Sequence, residues 1–471
     1  MLAGASVLLP GLGHFYSGSR RKAGLLFLFD AILLSVFVVS VLWYRLEVVK
    51  LWVSPEALMV IMAFNLGALI FRSVVALDSY ADVGTDGVGG RPHALGAILI
   101  GALLVVPHAL IGFLAYTQYD VVTTVFASPD PVAAAVTSTT TTTDVGPVVA
   151  PPNSFGSTTT TTLSATTTTT RPVLWDGLER LNVVLLGADA GQGRRGLRTD
   201  TTIVVSIDPS SGQIAMFSVP RDLSNAPLSE GMGLWDCNCF PDLITHLYDS
   251  AVKNPEAFSG PGEPTFNAIK GALGEIFGIP IHYYAMVTLN GFVGVVDALG
   301  GVTIEVPKTI VDDTYPHEDG STQRVVIEAG NQELDGHLAL AYARIRRQSD
   351  DFARMHRQRC VLEAVIEQTG PIEIIAGFGK LAAAAKEHVT TDIPQDRLVD
   401  FVDLIPKLDT SRISSLRITR GQYKTGGAPG RVYYDIDRIR VDAQELINDP
   451  EAAQARLGLD SLDSTCVESF D

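Results

Sequence analysis

Cysteine is scarce in this chain, with four residues among 471. So few cysteines exclude the small disulfide scaffold on which many secreted domains depend. Cys237 and Cys239 are so close in sequence that a bridge between them is expected to be strained, whereas Cys360 and Cys466 are distant partners in an oxidising compartment. One or two structural disulfides are expected, and the pairing stays open. No residue pattern around these cysteines indicates a nucleophile or a tetrahedral zinc site.

A surplus of positive charge is also missing. The chain has 52 acidic and 35 basic residues, a formal net charge of −17. This balance argues against a general nucleic-acid binder, which needs a basic surface for the phosphate backbone. The mean hydropathy is nevertheless positive, at +0.23. Both values are explained if apolar segments are separate from a charged globular part.

Long apolar runs are concentrated in the first quarter of the chain, and residues 1–120 are predicted to form an all-α membrane anchor. Each run is close to the ~20 residues that span a bilayer. The three predicted transmembrane helices cover residues 23–44, 57–77 and 94–116. Asp30 and Arg72 lie inside the first two runs at similar depths, where an unpaired charge costs ~2.5 to 3.5 kcal/mol. We therefore predict an ion pair between them.

The charges that flank the first run predict the orientation of the anchor. No basic residue precedes the short apolar stretch Leu2–Leu12, which argues against a cleavable signal peptide. The basic triplet Arg20–Lys22 stands directly before the first span, and basic residues favour the cytoplasmic side. The N-terminus is therefore expected in the cytoplasm, and the chain beyond Tyr116 is expected outside the plasma membrane.

This topology predicts that a cysteine introduced at Ser157 reacts with a membrane-impermeant maleimide in intact cells. The unsubstituted chain, carried through the same labelling, is the matched control. Labelling that appears only after lysis would mean that residues 1–15 cross the membrane as well, and it would refute the export of the remaining chain.

Two further segments differ in composition from a folded domain. Sixteen threonines lie between Thr137 and Thr170 with few large apolar residues, so residues 121–177 are predicted to be a disordered linker that tethers the next unit loosely. Residues 448–471 are predicted to be an acidic C-terminal tail. Between these segments, residues 178–447 have the composition of a globular α/β domain.

The α/β domain is predicted to open with three neighbouring strands. They cover residues 183–186, 201–207 and 213–219, and the turn DPSSG joins the last two. If the strands pair as antiparallel neighbours, the end of the first, the start of the second and the end of the third meet at one sheet edge. Asp189, Asp200 and Arg221 stand at those positions. The sequence therefore predicts that these three side chains converge.

A second cluster of arginines lies further along the chain. Leu340–Arg346 alternates as a strand does, which would place Arg344 and Arg346 on one face. A helix is predicted to begin at Asp350 or Asp351. One face of that helix carries, at i, i+3 and i+4, Arg354, Arg357 and Gln358.

Two carboxylates near several guanidinium groups are typical of a site for a metal-bridged phosphate. Asp189 and Asp200 are the predicted metal ligands, because Mg²⁺ (or Mn²⁺) takes one or two carboxylates and completes its shell with water and phosphate oxygens. Arginine binds phosphate oxygens through its planar fork and stays charged at any working pH. The predicted phosphate-binding arginines, of which the first four are also the predicted catalytic residues, are Arg198, Arg221, Arg344, Arg346 and Arg354.

These residues allow two other interpretations. Any single arginine at a strand end can simply be solvated, although this explains one residue better than the whole set. The glycine-rich loop GADAGQGRRGLRTD also suggests a nucleotide site. That interpretation is rejected because the loop lacks the terminal Gly-Lys-Ser/Thr that reaches nucleotide phosphates.

Five segments resemble the successive blocks of the LytR-CpsA-Psr family. They are LNVVLLGADA, LRTDTTIVVSID, MFSVPRD, GFVGVVDALGGVTIEV and LDGHLALAYARIRRQSDDFARMHRQ, and the resemblance extends over residues 178–441. It implies a membrane-anchored extracytoplasmic α/β domain in which helices flank a central mixed β-sheet. It also implies an apolar pocket for a polyprenyl (pyro)phosphate, and transfer of the linked glycopolymer to peptidoglycan as a phosphodiester with Mg²⁺.

The resemblance assigns roles to individual positions. It places the metal on Asp189 and Asp200, the phosphates on the same five arginines, and Gln358 beside the head group. The segment Gly231–Phe240 and the region around His246 depart from the family's pattern, in the part of the chain that would shape the acceptor or glycan region.

Two alternative functions use the same residues. One is a polyprenyl-pyrophosphate phosphohydrolase, in which water replaces the wall hydroxyl, and the metal and arginine set does not distinguish it from a transferase. The other is a non-catalytic scaffold for lipid-linked glycans, which the presence of both aspartates disfavours. A transcriptional regulator is opposed by the expected topology and by the lack of a basic DNA-reading element. The expected partners are therefore the lipid-linked glycan, peptidoglycan and the lipid bilayer, and no nucleic acid.

Overall fold

The computed structural model describes residues 12–16, 19–84, 94–126, 175, 178–189, 197–316, 321–345, 351–368, 371–409 and 413–458. Arg346, Cys466, Asp350 and the glycine-rich residues 190–196 lie outside this set, so the predictions made for them are neither confirmed nor contradicted.

The first part of the chain is helical. Its helices are α1 (Leu12–Tyr16), α2 (Arg20–Trp43), α3 (Arg45–Val53), α4 (Pro55–Gly84) and α5 (Ala94–Val125). The three long helices α2, α4 and α5 cover the three predicted spans. Among the described residues, one stretch, Pro55–Asp78 in α4, is long and apolar enough to cross a membrane. The three-span anchor therefore stays a prediction.

The charge of Arg72 acts on Asp30, but the ion pairs found among the described residues include no direct contact between the two, so the predicted ion pair is not formed as such. The two helices do meet at the predicted level, but through the neighbouring residues Phe29 and Phe71, whose ring centroids are 5.5 Å apart. The polar contact between α2 and α4 lies nearer their ends, where Lys22 Nζ is 3.2 Å from Asp78 Oδ2. The sequence predicted the depth of the contact, but the rotation of each helix decides which side chains face each other.

The α/β part begins with strands and alternates with helices. Its strands are β1 (Leu181–Asp189), β2 (Arg198–Ile207), β3 (Ile214–Val219), β4 (Leu223–Pro227), β5 (Cys239–Leu243), β6 (Tyr283–Thr288), β7 (Val302–Val306), β8 (Ile310–Pro316), β9 (Thr322–Ile327), β10 (Gly330–Leu334), β11 (Val389–Thr391), β12 (Ile413–Arg417), β13 (Lys424–Ala428) and β14 (Arg431–Tyr434). Its helices are α6 (Leu247–Lys253), α7 (Pro264–Phe277), α8 (Leu289–Leu299), α9 (Gly336–Arg344), α10 (Asp351–Gln368), α11 (Pro371–His388), α12 (Leu398–Leu404), α13 (Arg420–Tyr423), α14 (Ile436–Asn448) and α15 (Pro450–Leu457).

The central sheet has six strands in the order β11-β6-β1-β2-β3-β12. The β1–β2 and β2–β3 pairs are antiparallel, whereas β1–β6 and β3–β12 are parallel. The central mixed sheet expected from the family resemblance is therefore confirmed, as are the three predicted opening strands and their pairing. A smaller sheet has four strands in the order β13-β14-β4-β5. Its strands β4 and β5 follow β3 along the chain, and β13 and β14 follow β12.

Apolar side chains on both faces of the central sheet hold the helices in place. On one face Phe217 of β3 stacks on Phe277 of α7, with ring centroids 4.9 Å apart, and both are fully buried. On the other face Met216 packs near Leu362 of α10. Burying one such side chain contributes about 1.5 to 3 kcal/mol. Because both faces of the sheet are apolar, helices flank it on both sides, as expected.

The segment between the anchor and the α/β part is bounded by contacts at each end. The backbone N–H of Gln395 donates to Phe126 O just after α5, at 2.8 Å, and Lys386 pairs with Asp120. Trp175, near the far end of the segment, packs against the buried cluster that includes Leu181 and Tyr283. Its ring centroid is 5.2 Å from Lys407 Nζ. The α/β part therefore contacts α5 directly. Residues 127–174, which make up most of the predicted linker, lie outside the described residues, so the disordered linker stays a prediction.

The prediction of a strand over Leu340–Arg346 is wrong, because α9 occupies Gly336–Arg344. Asp335 caps the helix by accepting a hydrogen bond from the backbone N–H of Leu338 at 2.8 Å. Residues 339–343 are all buried, so the apparent alternation does not separate an inner from an outer face. The predicted following helix is confirmed by α10, which begins at Asp351.

The C-terminal boundary and one disulfide also differ from expectation. Helix α15 lies within the predicted acidic tail, yet Ala453 is fully buried and Arg456 pairs with Asp442 at 2.6 Å. The folded part thus continues to Leu457. Cys237 and Cys239 form a disulfide, so the argument against this bridge from their close spacing is wrong.

Candidate functional site

A β-bulge at the edge of the central sheet presents the two predicted metal ligands. Gly187 of β1 lies opposite Thr201 of β2, and Ala188 lies opposite Thr199, so Asp200 is the extra residue on β2. A bulge bends the strand and redirects a side chain, and bulges are common beside functional sites. A Cβ added to Gly187 would lie 2.9 Å from Thr201 Cβ. Glycine at this position therefore permits the close approach of the two strands that carry Asp189 and Asp200.

Asp200 is held by side chains from three different elements. Its Oδ1 accepts hydrogen bonds from Arg221 Nη1 at 3.3 Å and from Thr245 Oγ1 at 3.2 Å. Its backbone carbonyl accepts one from Arg354 Nη1 at 3.3 Å. The predicted convergence of Asp200 and Arg221 at the sheet edge is therefore confirmed. Thr245 was not predicted, because nothing in its local sequence marks it as a partner.

Asp189, at the end of β1, contacts a different arginine. Arg344 Nη2 donates to Asp189 Oδ2 at 3.1 Å. The Asp189 carboxylate is almost fully buried, with 4% of its side chain exposed, while 27% of the Arg344 side chain is exposed. A buried carboxylate beside a half-buried guanidinium gives a site that is strongly charged yet partly shielded from water, where electrostatic interactions are stronger than in bulk solvent.

Tyr315 of β8 lies beside this pair. Its ring centroid is 6.0 Å from Arg344 Cζ, a distance at which a guanidinium interacts favourably with an aromatic face. Burial raises the pKa of the Tyr315 hydroxyl, and the nearby Arg344 offsets only part of that rise. The phenol therefore stays protonated at neutral pH. Tyr315 therefore helps to orient Arg344. The sequence around Tyr315 contains no motif that predicted this role.

A further arginine holds the α9–α10 junction together. The buried Arg357 donates from Nε to Tyr342 O at 2.7 Å and also contacts Ile345 O. These carbonyls are at the end of α9, where helix carbonyls lack intrahelical partners. Gln358 Nε2 donates to Ala343 O at 3.4 Å. Both residues therefore position the end of the helix that carries Arg344.

The other predicted site residues are distributed around this centre. Arg354 is buried, at 4% exposure, and reaches Asp200 as described above. Arg198 is exposed at the start of β2 and pairs in register with Asp189. The structure thus brings Asp189, Asp200, Arg198, Arg221, Arg344 and Arg354 to one edge of the sheet.

A cavity of about 480 Å³ opens beside Arg198. It is lined by Arg198, Trp235, Phe240, Pro241, Asp242, His246, Asp249, Ser250, Lys253 and Arg431. A volume of this size lies within the range of ligand pockets. The two segments that depart from the family's pattern, Gly231–Phe240 and the region of His246, both contribute to its wall.

The carboxylates of the centre fit a magnesium site better than a zinc site. Among the described residues, no three His, Cys, Asp or Glu side chains cluster as potential metal ligands, whereas a structural zinc site requires four ligands. Two carboxylates from neighbouring strands are the number that Mg²⁺ commonly takes, with water and phosphate oxygens completing the shell.

Comparison with known proteins identifies the family. The model of the LytR_cpsA_psr family matches residues 153–447, more than half of the chain. The chain belongs to the LytR-CpsA-Psr family. This confirms the resemblance drawn from the five sequence segments.

Two curated relatives are both named as teichoic acid transferases. The polyisoprenyl-teichoic acid–peptidoglycan teichoic acid transferase TagU of Halalkalibacterium halodurans is 32% identical over 217 residues, which cover 46% of this chain and 62% of the relative. The corresponding transferase TagV of Bacillus subtilis is 28% identical over 278 residues, covering 57% of this chain and 64% of the relative. The match therefore spans less than two thirds of the length of these relatives.

One solved structure in the same group is the crystal structure of B. subtilis TagV. It shares 25% sequence identity and covers 57% of this chain and 98% of that chain, with a TM-score of 0.42. A score this low carries no argument about the site, and the α/β architecture described above stands on this chain's own strand pairing.

Proposed function

We propose that this LytR-CpsA-Psr protein is a membrane-anchored phosphotransferase that moves a polyprenyl-(pyro)phosphate-linked glycopolymer onto peptidoglycan as a phosphodiester. The observation that carries the proposal is the paired set of charges at the sheet edge, in which Arg344 contacts Asp189 and Arg221 contacts Asp200. The names of the curated relatives support the class of donor and acceptor. The proposed location is the plasma membrane, with the α/β part outside.

Asp189 and Asp200 would hold Mg²⁺ or Mn²⁺ in this proposal. When bound, the ion supplies positive charge to the phosphate oxygens of the donor. Both carboxylates already stand among arginines, so their negative charge is partly balanced before a metal and a phosphate arrive. The two aspartates are therefore assigned to metal binding and not to acid–base chemistry.

The arginines would bind the donor's phosphates and stabilise the charge that develops on them. Each guanidinium has five N–H donors in a planar fork. Arg344 can therefore keep its contact with Asp189 along one edge and donate to phosphate oxygens along the other. Arg221 can likewise keep its contact with Asp200 and donate to phosphate oxygens. The exposed Arg198 is available at the mouth of the cavity. Preorganised donors of this kind commonly account for a large part of catalysis in phosphoryl transfer.

Transfer is preferred to hydrolysis on one observation. A cavity of about 480 Å³ adjoins the arginine set through Arg198, and water as the acceptor would need no such space. A non-catalytic scaffold would not need both carboxylates at the sheet edge, whereas both are present and oriented by neighbours.

The proposal is tested with the full-length protein in detergent or nanodiscs. The substrates are a polyprenyl-diphosphate-linked glycan and soluble peptidoglycan fragments, and the products are identified by mass spectrometry. We expect the glycan phosphate on the fragments, loss of this product with EDTA, and its return with Mg²⁺ or Mn²⁺. Release of the glycan phosphate into water alone would identify a phosphohydrolase. Tight binding of the donor without any product would identify a scaffold, and in either case the proposed transfer would be refuted.

A further inference from the structure

The cavity beside Arg198 has walls that combine an aromatic face with paired charges. Trp235 packs edge-to-face on Phe240, with ring centroids 5.1 Å apart. The charges alternate in sign: Asp249 pairs with Lys253 on α6, and Asp242 lies near Arg431. An aromatic surface with several hydrogen-bonding groups suits a sugar, whose ring presents both C–H faces and hydroxyls. The wall carries two carboxylates and three basic side chains, so the charges in it largely balance one another.

His246 stands in this wall with one ring nitrogen already engaged. His246 Nδ1 is 3.1 Å from Asp242 Oδ2. Because a carboxylate accepts, Nδ1 carries the proton, and in the neutral ring Nε2 is then the nitrogen with a free lone pair. Burial alone would raise the pKa of Asp242, but hydrogen bonds from His246 and from the backbone N–H of Leu243 bring it below its ordinary value. Asp242 therefore remains a carboxylate that orients the imidazole.

A short 3₁₀ turn, Ile244–His246, connects this histidine to the aspartates and arginines at the edge of the central sheet. Within that turn Thr245 donates to Asp200 Oδ1 at 3.2 Å, and its backbone N–H donates to Arg221 O at 3.4 Å. The residue that contacts a predicted metal ligand is thus followed directly by the histidine of the cavity. Arg198 joins the two regions a second time, since it lines the cavity and lies two residues before Asp200.

We propose that this cavity binds the acceptor sugar of peptidoglycan and that His246 is the general base that takes the proton from the attacking hydroxyl. The inference rests on the proposed phosphotransferase function. The hydroxyl oxygen forms a bond to the glycan-bearing phosphorus, and the bond from that phosphorus to the polyprenyl-phosphate oxygen breaks. The hydroxyl proton moves to His246 Nε2, and the electron pair of the broken bond leaves with the polyprenyl phosphate. Asp242 is a positioning residue that acts through His246.

The acceptor is a better occupant than the donor's own sugars for a chemical reason. An attacking hydroxyl needs a proton acceptor beside it, and a neutral imidazole aligned by a carboxylate serves that purpose. A subsite that only holds donor sugars has no use for such a base.

The first test measures transfer by His246→Gln in the assay described above. We expect a loss of about 10²-fold or more in kcat, as for removal of a general base, with unchanged binding of the donor. The pH dependence of the rate should differ between the wild type and the variant, because only a neutral imidazole accepts a proton. The other charged groups that line the cavity with His246 are Arg198, Asp242, Asp249, Lys253 and Arg431. His337→Gln, at an exposed position of α9, is the matched control and should behave as the wild type.

The second test measures binding and needs no turnover. Trp235→Ala should weaken the binding of a soluble peptidoglycan disaccharide at least several-fold, detected by ligand-observed NMR, while the affinity for the lipid-linked donor stays unchanged. Loss of donor affinity instead would place the donor's glycan in the cavity and overturn the inference. A wild-type rate and an unchanged pH profile in His246→Gln would also overturn it. Absence of transfer by the wild type, with intact binding of the disaccharide, would count against the proposed function and not against the acceptor site.

Discussion

Asp200→Asn is expected to lower metal-dependent transfer by about 10²-fold or more while the protein stays folded. The substitution keeps an oxygen that can accept the hydrogen bonds from Arg221 and Thr245, both about 3.2 to 3.3 Å away in the native chain. It removes the negative charge, which is the property that a hard divalent cation requires of its ligand. A large loss of rate in this near-isosteric variant would therefore result from the missing negative charge and not from altered packing of the bulge.

The measurement that separates these effects is the dependence of the rate on the Mg²⁺ concentration. Asp200→Asn should need far more Mg²⁺ for half-maximal rate, and its circular dichroism and thermal unfolding should match those of the wild type. The matched control is Asp437→Asn on α14, whose side chain is 93% exposed. If the folded Asp200 variant has the wild-type rate and the wild-type Mg²⁺ dependence, Asp200 is not a metal ligand.

Arg344→Ala is expected to have a similarly large effect, of about 10²-fold or more, by removing a guanidinium that we propose binds the donor's phosphates. The loss also leaves the buried carboxylate of Asp189 without its contact from Nη2 at 3.1 Å. Arg344→Lys separates charge from geometry, because lysine keeps the positive charge but does not have the planar fork that binds two phosphate oxygens together. We expect the lysine variant to recover only part of the rate.

The readouts for Arg344 are the affinity for the lipid-linked donor and kcat. A phosphate contact made mainly in the transition state lowers kcat with little change in donor affinity, whereas a contact made equally in the bound donor weakens its binding. Arg324→Lys, at a 68% exposed position that pairs with Asp313, controls for the substitution itself. A lysine variant with the full wild-type rate would show that the bidentate geometry of Arg344 has no role.

The opening strands of the α/β part were predictable because their apolar residues are continuous or alternate. Once β1, β2 and β3 pair as antiparallel neighbours, connectivity alone brings Asp200 and Arg221 to one edge. The bulge that exposes Asp200 was not predictable in the same way. Its only local sign is Gly187, and glycine has several possible reasons to occur in a strand.

The helix α9 shows where a local pattern misleads. Leu340–Arg346 alternates in polarity near its end, but the preceding Asp335 is a good N-cap and the residues between are buried on every side. The N-cap was the better signal, because a buried helix has no polar face by which its period can be recognised. Arg344 was assigned to the site from the cluster of arginines in the sequence and then also by resemblance, but it reaches Asp189 from a helix end and not from a strand face.

By itself, the sequence determined the family, the types of residue at the sheet-edge site and the strands that carry several of them, since these depend on local pattern and order along the chain. Only the tertiary structure decided which arginine contacts which aspartate, because Arg344 and Asp189 are far apart in sequence and meet through the packing of α9 against α8, α10, β9 and β10. The same holds for Thr245, Tyr315 and the cavity around His246. Their segments carry no local signal for the site, since their positions follow from long-range contacts and not from any periodicity of the chain.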